Sequence, residues 1–171
     1  MPLFLCAAMI HELGHALAIY LCGGRLDGIQ LCITGAVLKQ GKCLGYGAEC
    51  LIALAGPAAG LGAAWICTAV GFPMLAGANL LLSLFNSLPL LPLDGGCAIQ
   101  SLLGMLPSAA AEVGRKLLHA FSIVAAAAWT VFGTALLAYT GQNATALVAG
   151  AFLLSANLML LRNPVKYGMI K

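Results

Sequence analysis

The sequence His11-Glu12-Leu13-Gly14-His15 places three ionisable side chains inside a long apolar run. If this run is helical, His11 and His15 lie one turn apart on the same face, a spacing at which two imidazoles can bind one zinc ion. Glu12 would then lie beside the metal as a candidate general base. Ionisable groups within a membrane helix are costly, and they are therefore functional by default. The motif predicts a zinc-dependent hydrolytic site inside a membrane.

The composition indicates that lipid surrounds this motif. The chain of 171 residues is 62% hydrophobic and 8% charged, with a mean hydropathy of +1.01, whereas soluble domains average about 25% charged residues. A soluble chain of this length cannot bury so much apolar surface. The basic residues behind the net charge of +3 lie between the apolar stretches or after the last of them, so the charge does not indicate a nucleic-acid partner.

Seven cysteines are scattered through the chain without a C-x-x-C pair or a disulfide framework spacing. Most of them lie in apolar segments, where a free cysteine behaves as a small hydrophobic residue. The sequence therefore predicts neither a disulfide nor a cysteine ligand to the metal.

Five membrane spans are predicted, because a span needs about 20 apolar residues. They are residues 2–22, 50–71, 74–93 and two further spans within 117–161, separated by a turn at 140–145. Glycines punctuate the segment 23–49, and its β-type stretches 29–33 and 36–38 predict a short hairpin at the membrane face. The predicted fold class is an all-α polytopic membrane protein with about five transmembrane helices and this membrane-associated β-hairpin.

The basic residues predict the orientation of these spans. All eight Lys and Arg residues lie in three segments, 23–49, 94–116 and 162–171. Five spans place these three segments on one side of the membrane, and cytoplasmic loops collect Lys and Arg. We therefore expect the N-terminus outside and the C-terminus in the cytoplasm. A short helix is expected around 98–106, within the polar interval 94–116.

Small residues dominate the second predicted span. Gly56 and Gly60 have the G-x-x-x-G spacing, and Gly62, Ala63 and Ala64 follow them. In lipid, such residues let helices approach closely. We expect this span to pack tightly beside the first one.

Two histidines do not complete the site, because a catalytic zinc usually has three protein ligands and an open water position. The remaining candidates are few: Asp27, Glu49, Glu112, His119 and Asp94. Asp94 differs from the others, since it ends an apolar run in which prolines break the helix and leave backbone free to bend into a site. In the predicted topology the first and third spans run in the same direction. His15 and Asp94 are therefore both expected towards the cytoplasmic face.

The two motifs together resemble a known family. HELGH in one membrane helix, followed by N-x-x-P-x-x-P-x-D-G-G ending a later one, closely resembles the site-2 protease family of intramembrane zinc metalloproteases. The resemblance covers about residues 1–106, similar to the family's three-helix catalytic core, whereas residues 117–161 match only in being hydrophobic. It implies one membrane-embedded metalloprotease domain over 1–171. Its substrate would be a single-span or membrane-tethered protein, cleaved in or near the transmembrane segment.

The same resemblance implies roles for individual residues. His11, His15 and Asp94 would bind Zn²⁺, and Glu12 would be the catalytic acid/base. Asn86 would help to hold the substrate or the oxyanion. The hairpin resembles the strand region with which these enzymes engage an unwound substrate.

Size and motif style make the chain similar to the sporulation branch of the family, whose protease releases a mother-cell sigma factor from a membrane-tethered precursor. A bacterial cell membrane and regulatory membrane proteins are therefore expected. That branch usually has an additional helix before the HELGH helix and a nucleotide-sensing domain after the spans. We expect either a minimal member or a sequence truncated at its N-terminus. Without an inserted PDZ domain, the subgroup that acts on anti-sigma factors fits less well.

Three alternatives use the same residues differently. His11 and His15 could be buried histidines satisfied between helices, the chain could be a metal transporter, or it could be an inactive homologue that binds membrane proteins as a scaffold. Transporters usually repeat polar positions along several spans, whereas the second, fourth and fifth predicted spans have almost none. A scaffold has no need of Glu12. Loss of activity in Glu12→Gln would therefore separate an enzyme from the other classes.

Overall fold

The computed structural model describes residues 2–24, 26–32, 35–40, 44–142 and 144–162. Its elements follow one another as α1 (Pro2–Leu21), β1 (Leu26–Cys32), β2 (Gly35–Gln40), α2 (Tyr46–Ala69), α3 (Pro73–Asn86), α4 (Asp94–Gly104), α5 (Ser108–Thr140) and α6 (Thr145–Arg162). The basic tail after Arg162 that entered the prediction of orientation lies outside the described residues.

Four of these helices are long and apolar enough to cross a membrane. They are α1, α2, α5 and α6, with 20, 24, 33 and 18 residues. The chain is an integral membrane protein, and the all-α prediction is confirmed for its long elements. Among the described residues the count is four helices of this length, where the sequence predicts five spans.

The difference lies in the third predicted span, 74–93. Helix α3 ends at Asn86 and has 14 residues, about 21 Å of helix at 1.5 Å per residue. The chain then runs without a helix to Asp94, because Pro89 and Pro92 each lack the N–H that a helix needs. Leu90, Leu91 and Leu93 are buried within this non-helical segment. The segment is therefore apolar because it lies in the protein core, and its hydrophobicity does not indicate that it is helical.

Strands β1 and β2 pair antiparallel, with Cys32 opposite Gly35 at the turn and Leu26 opposite Gln40 at the far end. The register is irregular between Leu26 and Gly28. Most of the two β-type stretches in the sequence lie within these strands. The predicted contact of this hairpin with a membrane or with a substrate stays a prediction.

The polar interval 94–116 is largely helical. It contains all of α4, where the sequence predicts a helix around 98–106, and the first turns of α5. Helix α5 is about 50 Å long, well beyond the hydrocarbon core of about 30 Å, so its polar first turns can lie outside the lipid. There Lys116 Nζ lies 2.8 Å from Glu112 Oε1, one turn away on the same helix.

Helices α1 and α2 pack closely through small residues. A Cβ at Gly14 would overlap the Cβ of Ala59 and the carbonyl oxygen of Ala55. Across the next interface, a Cβ at Gly60 of α2 would overlap the hydroxyl of Ser83 on α3. The small-residue stripe therefore brings α2 against both neighbours, as its composition predicts for helices in lipid.

Helices α5 and α6 form a second tightly packed pair. A Cβ at Gly133 would overlap the backbone of Leu147, and one at Gly150 would overlap that of Thr130. A core cluster joins this pair to the non-helical segment before α4. It consists of Leu90, Leu93, Ala126 and Leu153.

Candidate metal centre

Two elements bring three possible ligands to one point. Helix α1 carries His11 and His15 one turn apart, and Asp94 is the first residue of α4. Asp94 Oδ2 lies 2.9 Å from His11 Nε2 and 3.4 Å from His15 Nε2. The two Nε2 atoms are 3.2 Å apart. The structure therefore places the Asp94 carboxylate directly against both imidazoles of the HELGH motif.

Helix α2 orients the ring of His15. The Nδ1–H of His15 donates a hydrogen bond of 2.7 Å to the carbonyl oxygen of Ile52. A neutral imidazole that is protonated at Nδ1 keeps its lone pair on Nε2, the atom that faces Asp94. Gly56 makes this approach possible, since a Cβ there would overlap the His15 ring.

Two glycines position Asp94 at the start of α4. A Cβ at Gly95 would overlap the backbone of Ser87 and Leu88, and one at Gly96 would overlap the backbone of Leu90. The D-G-G sequence therefore lets the preceding segment fold back against the first turn of α4. A carboxylate in the first turn of a helix is also stabilised by the partial positive charge at that end.

The geometry of the three atoms fits a metal ion. Zinc binds nitrogen and oxygen ligands at about 2.0–2.1 Å in a tetrahedron, which separates the ligand atoms by about 3.3 Å. The three separations observed are 2.9, 3.2 and 3.4 Å. Asp94 Oδ2 is buried and, among the described residues, has no partner with hydrogen-bond geometry. Its lone pairs are therefore available to a cation at the centre of the triangle.

The three ligand candidates form one group within the described part of the chain, with their possible ligand atoms all within 4.8 Å of one another. They are not equally enclosed, because the exposed fraction of the side chain is 7% for His11, 12% for His15 and 21% for Asp94. The fourth position of a tetrahedral ion would be left for water or substrate.

Glu12 lies next to this group on α1. Its side chain is half-buried, and its carboxylate is within electrostatic reach of His11, His15 and Asp94. Glu12 therefore belongs to the site by position, but it is not one of the three residues of the candidate ligand group.

Asn86 is the last residue of α3 and lies directly before the non-helical segment 87–93. Its Nδ2 donates a hydrogen bond of 3.1 Å to the carbonyl oxygen of Leu82 on its own helix. This bond uses one of the two N–H groups of the amide, so it engages neither the second N–H, which could donate to an oxyanion, nor the amide oxygen. The role in substrate or oxyanion binding that the resemblance implies stays a prediction.

The other candidates for a third ligand lie elsewhere. Glu112 pairs with Lys116 at the start of α5, and neither Glu49 nor His119 is part of the ligand group. The side chain of Asp27 is outside the described part of the chain. Close to the site, burial and then the charge of Asp94 raise the pKa of the Cys97 thiol to about 12, and Cys97 is not part of the ligand group.

Two residues that bond to the segment just before Asp94 were not identified from the sequence. The hydroxyl of Ser122 on α5 accepts a hydrogen bond of 2.9 Å from the N–H of Leu91, and the amide of Asn157 on α6 donates to the carbonyl oxygen of Leu91. Leu91 lies three residues before Asp94. An asparagine in the middle of an apolar helix is a recognisable signal, because polar groups at that depth need a partner.

The fold and site therefore describe a polytopic membrane protein that carries a partly buried His-His-Asp group at a break between helices. The structure is similar to that of the site-2 protease from Methanocaldococcus jannaschii, with a TM-score of 0.72 and 22% sequence identity. The match covers 92% of this chain and 74% of that one. The predicted resemblance to the site-2 protease family is confirmed at the level of the fold. The sporulation branch within that family stays a prediction.

No protein-family model and no curated protein matches the sequence.

Proposed function

We propose that the protein is an intramembrane zinc metalloprotease that hydrolyses a peptide bond in or near the transmembrane segment of its substrate. The observation that carries this proposal is the convergence of His11 Nε2, His15 Nε2 and Asp94 Oδ2 at 2.9–3.4 Å. The similarity to a protein named as a site-2 protease supports it. The HELGH motif supports it independently, because its glutamate has a role in hydrolysis and none in metal binding.

The chain's own residues provide the metal site and the proton transfer. His11, His15 and Asp94 would hold Zn²⁺, which when bound supplies Lewis-acid chemistry and lowers the pKa of a water molecule to about 7. Glu12 accepts the proton of the attacking water and later donates it to the leaving amine. Asn86 is proposed to bind the substrate backbone near the carbonyl, where negative charge develops.

Helix α2 and the D-G-G bend hold this machinery in place. Ile52 fixes the tautomer of His15, and Gly95 and Gly96 allow the bend that presents Asp94. The proposed substrate segment is a membrane helix, and the peptide bonds of a helix are inaccessible to a hydrolytic site. Local unwinding of the substrate is therefore required, and we propose that the strands β1 and β2 bind the unwound segment.

We propose further that the active site faces the cytoplasm of a bacterial cell, with the N-terminus outside. This orientation takes α3 together with the non-helical segment after it as one crossing, and the segregation of all eight Lys and Arg residues to three segments supports it. The proposed substrate class is a single-span or membrane-tethered protein, and a tethered pro-sigma factor or transcription factor is the member of that class that the sequence resemblance favours. Regulatory membrane proteins are the proposed second kind of partner.

The test is co-expression with candidate single-span substrates, comparing the wild type with Glu12→Gln. We expect a shortened product with the wild type and none with the variant, because the amide cannot accept a proton. Glu112→Gln is the matched control, since Glu112 lies on α5 in a surface pair with Lys116, and it should cleave normally. Purified Glu12→Gln should retain its zinc, because the ligand triangle does not include Glu12.

Other outcomes would indicate a different class of protein or a different mechanism. Metal uptake into vesicles that persists in Glu12→Gln would indicate a transporter. Substrate capture by both proteins without any cleavage would indicate a scaffold. Cleavage by Glu12→Gln at the wild-type rate would overturn the proposed mechanism.

A further inference from the structure

Leu91 has both of its backbone polar groups bonded to side chains from distant helices. Its N–H donates to the hydroxyl oxygen of Ser122 on α5 at 2.9 Å, and its carbonyl oxygen accepts from Nδ2 of Asn157 on α6. Each side chain also bonds within its own helix, Ser122 to the carbonyl oxygen of Leu118 and Asn157 to that of Leu153. Helices α5 and α6, which are otherwise apolar, therefore both bond to one residue of the segment before α4.

These bonds lie in the interior of the protein. The exposed fraction is 0% for both Ser122 and Asn157, and 7% for Leu91. Non-helical backbone at membrane depth is tolerated only where other groups satisfy its hydrogen-bonding capacity. Leu91 itself belongs to no helix or strand, so the regular backbone hydrogen bonds of such an element do not satisfy its N–H and carbonyl groups. Ser122 and Asn157 therefore determine where this part of the segment can lie.

The position of Leu91 is coupled to that of Asp94. Only Pro92 and Leu93 separate the two residues, and Leu93 N–H donates a hydrogen bond of 2.8 Å to the carbonyl oxygen of Leu90. Gly96, in the first turn of α4, lies against the backbone of Leu90 and Leu91. A displacement of Leu91 must therefore be passed on to the first turn of α4, which carries the Asp94 carboxylate.

We propose that Ser122 and Asn157 are positioning residues of the metal site, which hold Leu91 so that the Asp94 carboxylate meets His11 and His15. This inference rests on the proposed function, because it takes the three residues to be metal ligands. It gives α5 and α6 a part in the site although neither helix provides a ligand. Residues that orient a metal ligand through hydrogen bonds typically contribute about 10–100-fold to metal affinity.

The test measures Co²⁺ binding by the purified full chain in detergent, using the visible spectrum and competition with a chelator. Ser122→Ala removes one oxygen atom and the bond to Leu91. Asn157→Leu keeps the approximate volume and removes the amide. Each variant should bind Co²⁺ about tenfold or more weakly than the wild type, and the spectrum should change because the coordination of Asp94 is altered.

Two matched controls lie on the same helices. The hydroxyl of Thr134 on α5 bonds to the carbonyl oxygens of Thr130 and Val131, and that of Ser155 on α6 bonds to the carbonyl oxygen of Phe152. Both are exposed, and the bonds given for them stay within their own helices. Thr134→Ala and Ser155→Ala should therefore bind Co²⁺ with the wild-type affinity and spectrum.

The outcomes separate this inference from the proposed function. Wild-type Co²⁺ affinity and spectrum in Ser122→Ala and Asn157→Leu would overturn the inference and leave the protease proposal standing. Equal weakening by the two controls would also overturn it, since the effect would then be one of general packing. A wild-type protein that binds no Co²⁺ would overturn both. Ser122→Ala adds no volume, so it gives an answer even if Asn157→Leu does not fold.

Discussion

Gly56 lies against the imidazole ring of His15, so closely that a Cβ at this position would overlap the ring. The same ring donates to the carbonyl oxygen of Ile52, one turn earlier on α2. A glycine that looks like part of a helix-packing stripe is therefore also part of the wall of the candidate metal site. The orientation of His15 depends on the absence of a side chain there.

The substitution Gly56→Ala tests this relationship. The new methyl group has to displace the His15 ring or separate α1 from α2, and a misplacement of about 1 Å in a catalytic group can cost about 100-fold in rate. We expect cleavage in the co-expression assay to fall to this extent, with a loss of bound zinc. Gly62→Ala on the same helix is the control, because a Cβ there has no neighbour within 4 Å. Full activity of Gly56→Ala would contradict the close approach.

Asp94→Ala tests the third ligand. It removes the carboxylate that lies 2.9 Å from His11 and 3.4 Å from His15. We expect zinc affinity to fall by more than the roughly 10–100-fold lost with an outer-shell partner, and cleavage to be abolished. Zinc content of the purified protein is the measurement, with Glu112→Ala as the carboxylate control. Full zinc occupancy together with full activity would remove Asp94 from the set of ligands.

Gly95→Ala tests the bend before α4. A Cβ at Gly95 would overlap the backbone of Ser87 and Leu88, and backbone cannot move aside as a flexible side chain can. We expect the segment to shift, with loss of metal affinity and of cleavage in a protein that still folds. Gly77→Ala on α3 should behave as the wild type, since its Cβ has no neighbour within 4 Å. Equal activity of the two variants would show that the bend tolerates a side chain.

Gly150→Leu tests the packing of α5 against α6. A side chain at Gly150 would overlap Thr130 of the neighbouring helix, and overpacking typically costs about 1–3 kcal/mol. We expect a lower melting temperature in detergent, measured by the loss of helical circular dichroism. Gly62→Leu provides the comparison, because that position on α2 has open space around it. A melting temperature equal to that of the comparison variant would count against this interface.

The sequence was sufficient to predict that His11, His15 and Asp94 lie together, and the reason is physical. The spacing of His11 and His15 fixes their relation on any helix, and few other ionisable residues remain to complete a site. Asp94 differs from the other candidates for a third ligand because the prolines before it interrupt the helix.

The sequence was less informative where bonds join distant segments. Ser122 and Asn157 contact Leu91 across 31 and 66 positions of the chain, and no periodic pattern links those residues. The third predicted span was wrong in length for a related reason. Apolar composition reports burial equally well for a helix in lipid and for an irregular segment in the protein core, as at Leu90 and Leu91.

The unequal exposure of the three ligand candidates has a consequence for how water and peptide would reach the site. The exposed fraction of the side chain rises from 7% at His11 to 21% at Asp94, so Asp94 is the most exposed member of the group. For the proposed protease, we expect water and peptide to approach the group from the side of this carboxylate. A bound peptide on that side would then hinder the entry of further water.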